Sequence, residues 1–243
     1  MPEMSLDEYD RLFAVEDRLW LSRGLRRIAL QALAPRLPQG DRPRVLEAAC
    51  GTGAMLDALR DCARPVGIDL SPAAVRYCLE REHHDVARAS MTALPFQEQS
   101  FDAVLCLDAL GALPGDEDAV ALAEMARVSR PGGVLILWAA AHPALYGAHD
   151  RATGMAQRHC RRTLRTKVER AGFAVEKLCY ANMFLFPGVA LVRLLRRLLP
   201  AGSNDHSDVV VPPGPINALL TQVMFLEAVL LRRTILPIGL SLL

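Results

Sequence analysis

The chain has 243 residues, 51% of them hydrophobic, and a formal net charge of +1 at pH 7. A chain of this size buries a full core, so we expect one globular domain with insertions rather than a disordered or fibrous protein. No stretch contains the roughly 18 uninterrupted apolar residues of a membrane-spanning helix, and the acidic, polar start does not resemble a secretory signal. We therefore predict a cytoplasmic protein.

Cysteine and histidine usage argues against a disulfide framework or a metal centre. The six cysteines are scattered, without any Cys-x-x-Cys pair, which predicts reduced thiols. Neither they nor the six histidines have the spacing of metal ligands, so we expect no metal site.

Charge is distributed unevenly along the chain. Residues 1–150 carry 15 basic and 22 acidic residues, a net −7, whereas residues 151–243 carry 13 basic and 5 acidic residues, a net +8. Two interpretations stay open: a solvated basic helix face, or a surface that attracts an anionic acceptor or an anionic lipid. Nucleic acid is not expected as a partner, because the basic region has few aromatic residues for base stacking.

In chain order, the first predicted elements are one or two helices over 6–33, where apolar residues recur at helical spacing. Strands and helices then alternate. This alternation predicts a parallel sheet with helices on both faces and a ligand at the carboxyl ends of the strands. The first five strands are predicted at 44–48, 65–69, 86–90, 102–107 and 133–139.

The first strand ends in a loop typical of nucleotide-binding folds. Glu47 lies at its carboxyl end, and Gly51 and Gly53 allow a tight turn before a helix whose free amides face a ligand. Asp69 ends the second strand, at about the spacing of a ribose-binding carboxylate. Leu56 replaces the third glycine of a dinucleotide fingerprint, which disfavours a nicotinamide or flavin enzyme.

Four motifs in order resemble the class I S-adenosylmethionine-dependent methyltransferases: the loop after Glu47, Leu94–Phe96, Ser100–Val104 and Glu124–Leu135. Other segments look like a bacterial subgroup of these enzymes, with the type 11 methyltransferase domain; they lie at 9, 16–18, 20, 23–27, 150–172 and 184–200. The resemblance implies a Rossmann-like sheet of seven strands in the order 3-2-1-4-5-7-6, with strand 7 antiparallel. It also implies S-adenosylmethionine as the cofactor and methyl transfer to an O or N nucleophile. The implied acceptor is a small molecule, anionic or apolar, including natural-product or lipid-like compounds.

Family positions carried onto this chain give a cofactor site. Glu47 is expected to orient the loop near the methionine end, and Asp69 to accept hydrogen bonds from both ribose hydroxyls. Ala49 replaces the first loop glycine, and Ser90 replaces an acid that accepts from the adenine amino group. The complete predicted set is Trp20, Arg23, Glu47, Ala49, Gly51, Gly53, Asp69, Leu70, Ser90, Met91 and Leu107.

Methyl transfer depends on alignment and on removal of the nucleophile's proton. Asp108 follows the fourth strand and His142 follows the fifth, so both are candidate bases, and His142 has the pKa better suited to neutral pH. The alternative is that Asp108 caps a helix and His142 begins a loop. Trp20 and Arg23 are predicted either to close over the cofactor or to be a core Trp and a surface Arg. Weaker candidate bases are Tyr146, His149 and Asp150.

A helix over 162–171, a sixth strand at 174–179 and a seventh at 235–242 complete the predicted fold. Residues 180–234 are far too long for a hairpin, so we predict a helical insertion that forms a cap. Its two apolar stripes have two interpretations. Either they pack on the domain, or they contact a membrane surface or an apolar acceptor. The predicted parts are an N-terminal helical cap (1–40), a methyltransferase core (41–180 and 235–243) and the insertion (181–234).

Two other functions stay open. One is a protein that binds S-adenosylmethionine without methyl transfer, in a structural, regulatory or templating role. This alternative stays open because the chain departs from the family pattern at Ala49 and Ser90. It also has Gly111 and Ala112 where the subgroup has Glu-His. The other is a peripheral membrane enzyme with a lipid-linked acceptor. The sequence makes no prediction of the oligomeric state.

Overall fold

The computed structural model describes residues 4–40, 42–198 and 210–243. The strands among these residues are β1 (Arg44–Ala48), β2 (Arg64–Asp69), β3 (Val86–Arg88), β4 (Phe101–Leu107), β5 (Ser129–Ala140), β6 (Tyr180–Ala181) and β7 (Ser241–Leu242). The helices are α1 (Leu6–Val15), α2 (Trp20–Leu33), α3 (Ala54–Leu59), α4 (Pro72–Glu80), α5 (Glu117–Val128), α6 (Ala148–Ala152), α7 (Arg161–Arg170), α8 (Phe186–Leu198) and α9 (Gly214–Arg233).

The strands form one sheet in the order β3-β2-β1-β4-β5-β7-β6. Strands β1 to β5 are parallel, and β7 is antiparallel to both β5 and β6. Apolar clusters cover both faces of the sheet: one includes Phe101 and Leu122, and the other includes Leu33 and Leu59. Burial on both faces explains why these strands are nearly continuous apolar runs. The predicted Rossmann-like fold class is confirmed.

The region 6–33, where one or two helices are predicted, forms the two helices α1 and α2, and α2 packs along α9. Ile28 shares a buried cluster with Met224 and Ala228 of α9. The contact is close, because a Cβ added at Gly24 would lie 2.6 Å from the Met224 Cβ. The N-terminal helices and the insertion therefore share a core, and the division of the chain into cap, core and insertion stays a prediction.

The predicted insertion contains α8 and α9. The Glu227 carboxylate, with 0% exposure, accepts hydrogen bonds from the backbone N–H groups of Asn182, Met183 (2.9 Å) and Phe184 (3.4 Å). These bonds join α9 to the segment between β6 and α8. The predicted α8 stripe includes Leu191, which is exposed; its other members, Leu194, Leu195 and Leu198, have side chains outside the described part of the chain.

Helix α9 is also the one described helix that is long and apolar enough to cross a membrane by length and composition, with a mean hydropathy of 1.5. The sequence prediction required an uninterrupted apolar run, and Asn217, Gln222 and Glu227 interrupt it. One face of α9 packs on α2, and its opposite face is exposed. It is therefore an amphipathic helix with an uncovered apolar face.

Two strand predictions are wrong in extent. The sixth strand is limited to Tyr180–Ala181 instead of 174–179, and the seventh to Ser241–Leu242 instead of 235–242. A strand is defined by its ladder, and the described residues provide no partner for 174–178. The apolar pattern of this segment predicted a strand, but such a pattern does not report whether a ladder partner lies beside it.

Candidate cofactor and acceptor site

The loop between β1 and α3 is folded against the end of β2. The Gly51 N–H donates to Asp69 Oδ2 at 2.9 Å, and the Cys50 N–H donates to the Ile68 carbonyl at 2.8 Å. Gly51 has φ +53°, and no atom beyond Gly51 and its two chain neighbours lies within 4 Å of the position a Cβ would occupy there. Gly53 has φ +90° and caps α3. Both left-handed conformations favour glycine, and at Gly51 the space beside the backbone is open.

Asp69 lies at the carboxyl end of β2, as predicted. Its carboxylate also accepts from the Ser71 N–H at 2.9 Å and from the Tyr9 hydroxyl at 3.4 Å. Burial raises the pKa of Asp69, and the hydrogen bonds from the N–H groups of Ser71 and Gly51 oppose that rise. Because the carboxylate is held by two backbone donors, its orientation at the loop is fixed.

Glu47, at the end of β1, is a buried carboxylate with an unmet hydrogen-bonding need. Its exposure is 4%, and its Oε2 has no hydrogen-bond partner among the described residues. Burial raises the pKa of Glu47 well above its ordinary value, with a further rise from nearby Cys78 and Glu16. Since an unpaired buried polar atom costs roughly 1–3 kcal/mol, this oxygen is suited to a ligand that donates a hydrogen bond.

The other predicted cofactor residues in this region surround the loop. Ala49 has φ +68°, a conformation that costs an L-residue about 1–2 kcal/mol. Ser90 Oγ lies 2.7 Å from Thr92 Oγ1, and Met91 is buried in the adjacent core. The Ala89 N–H donates to the Asp69 carbonyl at 2.9 Å, which joins the ends of β2 and β3. The structure therefore brings together Glu47, Ala49, Gly51, Gly53, Asp69, Leu70, Ser90 and Met91.

Leu107, Trp20 and Arg23 lie elsewhere. Leu107 packs in the cluster shared with Trp20, under α2 and α9. The Trp20 N–H donates to Asn217 Oδ1 at 3.0 Å, and the Arg23 guanidinium lies 5.7 Å from the centre of the Phe225 ring. These contacts are with α9 and not with the loop after β1. A cofactor role for Trp20 and Arg23 stays a prediction for which the structure provides no contact.

Helix α1 covers the cofactor loop, an arrangement that the sequence analysis missed. The Glu16 carboxylate accepts from Thr52 Oγ1 and from Arg81 Nη2, the latter at 2.9 Å. Burial raises the pKa of Glu16, while the Thr52 hydrogen bond and the Arg81 charge lower it. Tyr9, Phe13 and Glu16 recur at four- and three-residue spacing, which places them on one helix face. That spacing was the available signal.

Asp108 lies at the carboxyl end of β4, beside the end of β5. Its N–H donates to the Trp138 carbonyl at 2.9 Å, and its φ is +56°. The side chain is accessible to water, yet the surrounding protein desolvates it and raises the pKa of Asp108 to about 6. The charges of Arg158 and Arg193 lower this pKa and that of Asp150 raises it. Asp108 thus has a pKa suited to accepting a proton near neutral pH.

His142 follows β5 and lies among aromatic rings. Its Nε2 lies 2.9 Å from the Gly239 carbonyl, which assigns the proton to Nε2 and leaves the lone pair on Nδ1. The ring is parallel to Tyr180, with centroids 5.3 Å apart and an angle of 3°, and also lies 5.3 Å from Phe186. These three residues form an aromatic wall at the edge of the sheet.

The weaker candidates in the same loop have structural partners. Asp150 is buried and pairs with Arg158 at 2.6 Å and with Arg193 of α8 at 3.1 Å. Burial opposes its ionisation, but the hydrogen bond and charges of these arginines outweigh burial and lower the pKa of Asp150. The Tyr146 hydroxyl donates to the Met155 carbonyl at 2.9 Å. Asp150 therefore holds a charge that links α6 to α8 and is a poor base.

The sheet order, the glycine turn after β1 and the acid at the end of β2 together define a class I methyltransferase fold. Comparison with known proteins agrees, because residues 46–137 match the methyltransferase domain family. Residues 46–137 therefore resemble a methyltransferase domain, and the resemblance to S-adenosylmethionine-dependent class I methyltransferases is confirmed.

Two named relatives each match part of the chain. A probable phthiotriol/phenolphthiotriol dimycocerosates methyltransferase 2 of Mycobacterium ulcerans is 38% identical over 96 residues, which are 37% of this chain and 36% of that protein. A fatty-acid O-methyltransferase of Mycolicibacterium smegmatis is 34% identical over 122 residues, 46% of this chain and 43% of that protein. The chain thus matches less than half the length of either relative.

Among solved structures, the chain is similar to a Haloferax volcanii protein described as a methyltransferase, in complex with the Trm112 methyltransferase activator. The TM-score is 0.57 and the sequence identity is 26%, over 72% of this chain and 79% of that one. This similarity extends beyond the matched family region.

The residues at the loop fit S-adenosylmethionine. Its ammonium group is a donor suited to the unpartnered Glu47 Oε2, and its ribose hydroxyls are donors suited to the Asp69 carboxylate. The open space at Gly51 allows a ligand to approach the backbone. The chemistry of this donor and acceptor set therefore agrees with the cofactor of the family.

Proposed function

We propose that this protein is an S-adenosylmethionine-dependent methyltransferase that acts on an O or N nucleophile of an apolar, lipid-like small molecule. The observation that carries the cofactor part is the buried Glu47 oxygen, which lacks a partner among the described residues, next to a loop that leaves open space at Gly51. The reaction part rests on the position of Asp108 at the carboxyl end of β4, where its N–H donates to the Trp138 carbonyl of β5, and its raised pKa of about 6 suits a base.

When bound, S-adenosylmethionine supplies an electrophilic methyl group on a sulfonium. Glu47 and Asp69 hold and orient the cofactor, and Asp108 accepts the proton of the acceptor hydroxyl or amine. His142, fixed by its bond to the Gly239 carbonyl, contributes an aromatic surface to the acceptor site rather than the base. Methyl transfer is a displacement at the sulfonium methyl carbon, and the alignment of the two reactants contributes most of its rate acceleration.

Helix α8 is part of the proposed cap, and it contributes residues to the acceptor site near Asp108 and His142. It contributes Phe186 to the aromatic wall with His142 and Tyr180, and Arg193 to the buried pair with Asp150. An aromatic wall favours an apolar acceptor. The names of the two relatives, which specify a dimycocerosate lipid and a fatty acid, support the same acceptor class.

A lipid-like acceptor also accounts for the exposed apolar face of α9, and we propose that this face lies on an anionic membrane surface. The face consists of Ile216, Leu219, Leu226 and Val229, whose exposures are 50%, 65%, 55% and 51%. Exposed Arg232 and Arg233 end the same helix, which adds attraction to anionic headgroups. On this proposal the enzyme is cytoplasmic and peripheral.

Flotation with liposomes tests the membrane contact. We expect the protein to float with phosphatidylglycerol vesicles at low salt, less so at high salt, and weakly with phosphatidylcholine vesicles. Leu219→Glu and Leu226→Glu should each reduce flotation. Val120→Glu is the matched control, because Val120 is 50% exposed on α5. Equal loss in the control, or no flotation of the wild type, would contradict the proposal.

A second candidate, cofactor binding without methyl transfer, is favoured by the site's departures from the family. Ala49 occupies a left-handed conformation in place of glycine, and Ser90 provides a hydroxyl in place of an acid. The two functions differ in product, because methyl transfer alone generates S-adenosylhomocysteine.

The experiment that tests the main proposal has two steps. Calorimetric titration with S-adenosylmethionine and with S-adenosylhomocysteine should give micromolar binding of both. The protein is then incubated with S-adenosylmethionine and fatty acids or isoprenoid quinols, and S-adenosylhomocysteine is quantified. Binding with acceptor-dependent product supports the methyltransferase, binding without product across the panel supports the second candidate, and absence of binding refutes both.

A further inference from the structure

The two carboxylates of the cofactor site are buried, and helix α1 lies directly on one of them. Glu47 is 4% exposed and Asp69 is 7% exposed. The Tyr9 hydroxyl of α1 donates to Asp69. Glu16, the residue after α1, accepts from the Thr52 hydroxyl in the loop between β1 and α3. Helix α1 therefore covers the carboxylate that the ribose hydroxyls have to reach, and we call this position of the helix docked.

With α1 docked, Asp69 has too few acceptor positions for a ribose. An ionised carboxylate has about four lone-pair positions. Described residues use three of them: Oδ1 accepts from the Tyr9 hydroxyl and the Ser71 N–H, and Oδ2 accepts from the Gly51 N–H. At most one position is left, whereas two ribose hydroxyls need two. Because Ser71 and Gly51 donate from the backbone, the Tyr9 hydroxyl is the donor that has to leave.

Arg81, the residue after α4, holds the end of α1 in the docked position. Its guanidinium pairs with Glu16 and with Asp17, each at 2.9 Å, and with Asp57 of α3 at 2.8 Å. The Arg81 guanidinium carbon also lies 5.0 Å from the centre of the Phe13 ring. The turn after α1 is thus joined to α3 and α4 mainly by charge pairs. We call Glu16, Asp17 and Arg81 the latch.

Among the described residues, the apolar contact of α1 is confined to one small cluster on α4. Tyr9 packs against Ala74 and Tyr77, and the Phe13 ring stacks on Tyr77 with centroids 4.3 Å apart. Helix α2, in contrast, takes part in two buried clusters that include strands of the sheet. Elements with few buried apolar contacts open locally at a lower free energy than the rest of a domain. Helix α1 can therefore move while the sheet stays folded.

We propose that α1 is a gate of the cofactor site: S-adenosylmethionine binds only when the latch opens and Tyr9 leaves Asp69. The proposal rests on the cofactor part of the proposed function. Because the cofactor selects the open position, its apparent affinity is the intrinsic affinity reduced by the open fraction. Holding α1 docked should therefore weaken cofactor binding, and weakening the latch should speed cofactor entry.

A cleavable cross-link between α1 and α4 tests the gate. Asp10→Cys and Arg76→Cys replace an exposed pair whose N–O distance is 3.8 Å. Cys62→Ser and Cys160→Ser are added because these two native thiols are exposed. A short bis-maleimide with a disulfide in its spacer then joins the introduced thiols. In calorimetry with S-adenosylhomocysteine, we expect affinity to fall at least about tenfold on cross-linking and to return after reductive cleavage of the spacer.

The matched control joins Arg165→Cys to Glu169→Cys, an exposed pair within α7, in the same background. This cross-link should leave the affinity unchanged. Unchanged affinity after α1 is cross-linked would overturn the gate and leave the cofactor assignment in place. Absence of binding by the wild-type protein is a different result, which would refute the proposed function and the gate with it.

A second variant tests the gate without a cross-link. Glu16→Gln keeps the shape of the side chain and an acceptor for Thr52, but removes the charge that pairs with Arg81. We expect the association rate constant of S-adenosylhomocysteine in stopped-flow measurements to rise roughly fivefold, because a larger fraction of the molecules is open. Glu169→Gln, which loses an exposed pair in α7, should associate as wild type. An unchanged rate in Glu16→Gln would overturn the proposal, and this comparison decides the question if the cysteine variant does not fold.

Discussion

The part of the sheet that holds the cofactor residues, around β1 and β2, is here called the cofactor end, and the part that holds Asp108 and His142, from β4 to β6, the acceptor end. The two differ in how their functional groups are assembled. At the cofactor end, Glu47, Gly51 and Asp69 come from 23 consecutive residues and from neighbouring parallel strands. At the acceptor end, Asp108, His142 and the residues that surround them come from segments separated by up to about a hundred residues, as in the bond between His142 and the Gly239 carbonyl. The cofactor end is therefore formed by residues close together in the sequence, whereas the acceptor end is formed by tertiary contacts between distant segments.

This difference separates chemistry from specificity. A short motif on adjacent parallel strands is sufficient to hold a cofactor, and such a motif does not by itself select the acceptor. The aromatic wall and the Asp150–Arg158 pair depend on α8 and on the short strands β6 and β7. Substitutions at one end should therefore leave the other largely intact.

The largest expected effect is at the cofactor end. Asp69→Ala removes a carboxylate that would accept from two ribose hydroxyls, at about 1.5–3 kcal/mol for each bond to a charged group. We expect S-adenosylmethionine affinity to fall at least a hundredfold in calorimetry, with little change in the far-ultraviolet circular dichroism. Asp61→Ala, an exposed acid two residues after α3 ends, is the control and should bind as wild type. Unchanged binding of Asp69→Ala would mean that the site has been assigned to the wrong residues.

At the acceptor end, Asp108→Asn keeps the shape of the side chain and removes its basicity. We expect turnover to fall by roughly 10²–10⁴-fold, the usual contribution of a positioned base, while cofactor affinity stays within a few-fold. Because desolvation by the surrounding protein raises the pKa of Asp108 to about 6, the wild-type rate should rise as pH increases through 6, and this limb should be absent in the variant. An identical pH profile in Asp108→Asn would assign the base elsewhere, with His142→Gln as the next variant.

The sequence predicted the two ends unequally for a physical reason. Strands β1, β2 and β4 are buried on both faces. Their apolar runs, and the acids at or near their carboxyl ends, can therefore be recognised in the sequence alone. The lengths of β6 and β7 depend on a ladder partner, which no local pattern reports. The same limit applies to Tyr9 and Glu16, because their contacts with Asp69 and Thr52 are fixed by the packing of α1.

A third variant tests how much the hydrogen bonds of Glu227, beside β6, contribute to the free energy of unfolding. Glu227→Ala leaves three backbone N–H groups beside β6 without their acceptor, that of Asn182 in a buried place, which should lower the free energy of unfolding by about 2–4 kcal/mol in urea titrations. The exposed Glu80→Ala, which loses a surface pair with Arg76, should change it by less than about 0.5 kcal/mol. At temperatures where Glu227→Ala stays folded, cofactor affinity should match wild type. Equal stabilities of the two variants would show that this anchor contributes nothing.

The smallest expected effect concerns the boundary between α1 and the cofactor loop. The Tyr9 hydroxyl donates to Asp69 Oδ1 at 3.4 Å, so it occupies an acceptor that the ribose hydroxyls would use. Because a bond of this length is weak, we expect Tyr9→Phe to raise S-adenosylmethionine affinity only about two- to threefold, or about 0.5 kcal/mol. The apolar packing of the ring against Ala74 and Tyr77 is retained in this variant. Weaker binding in calorimetry would reverse the assignment: the hydroxyl would then help to hold the cofactor, and α1 would belong to the cofactor site rather than compete with it.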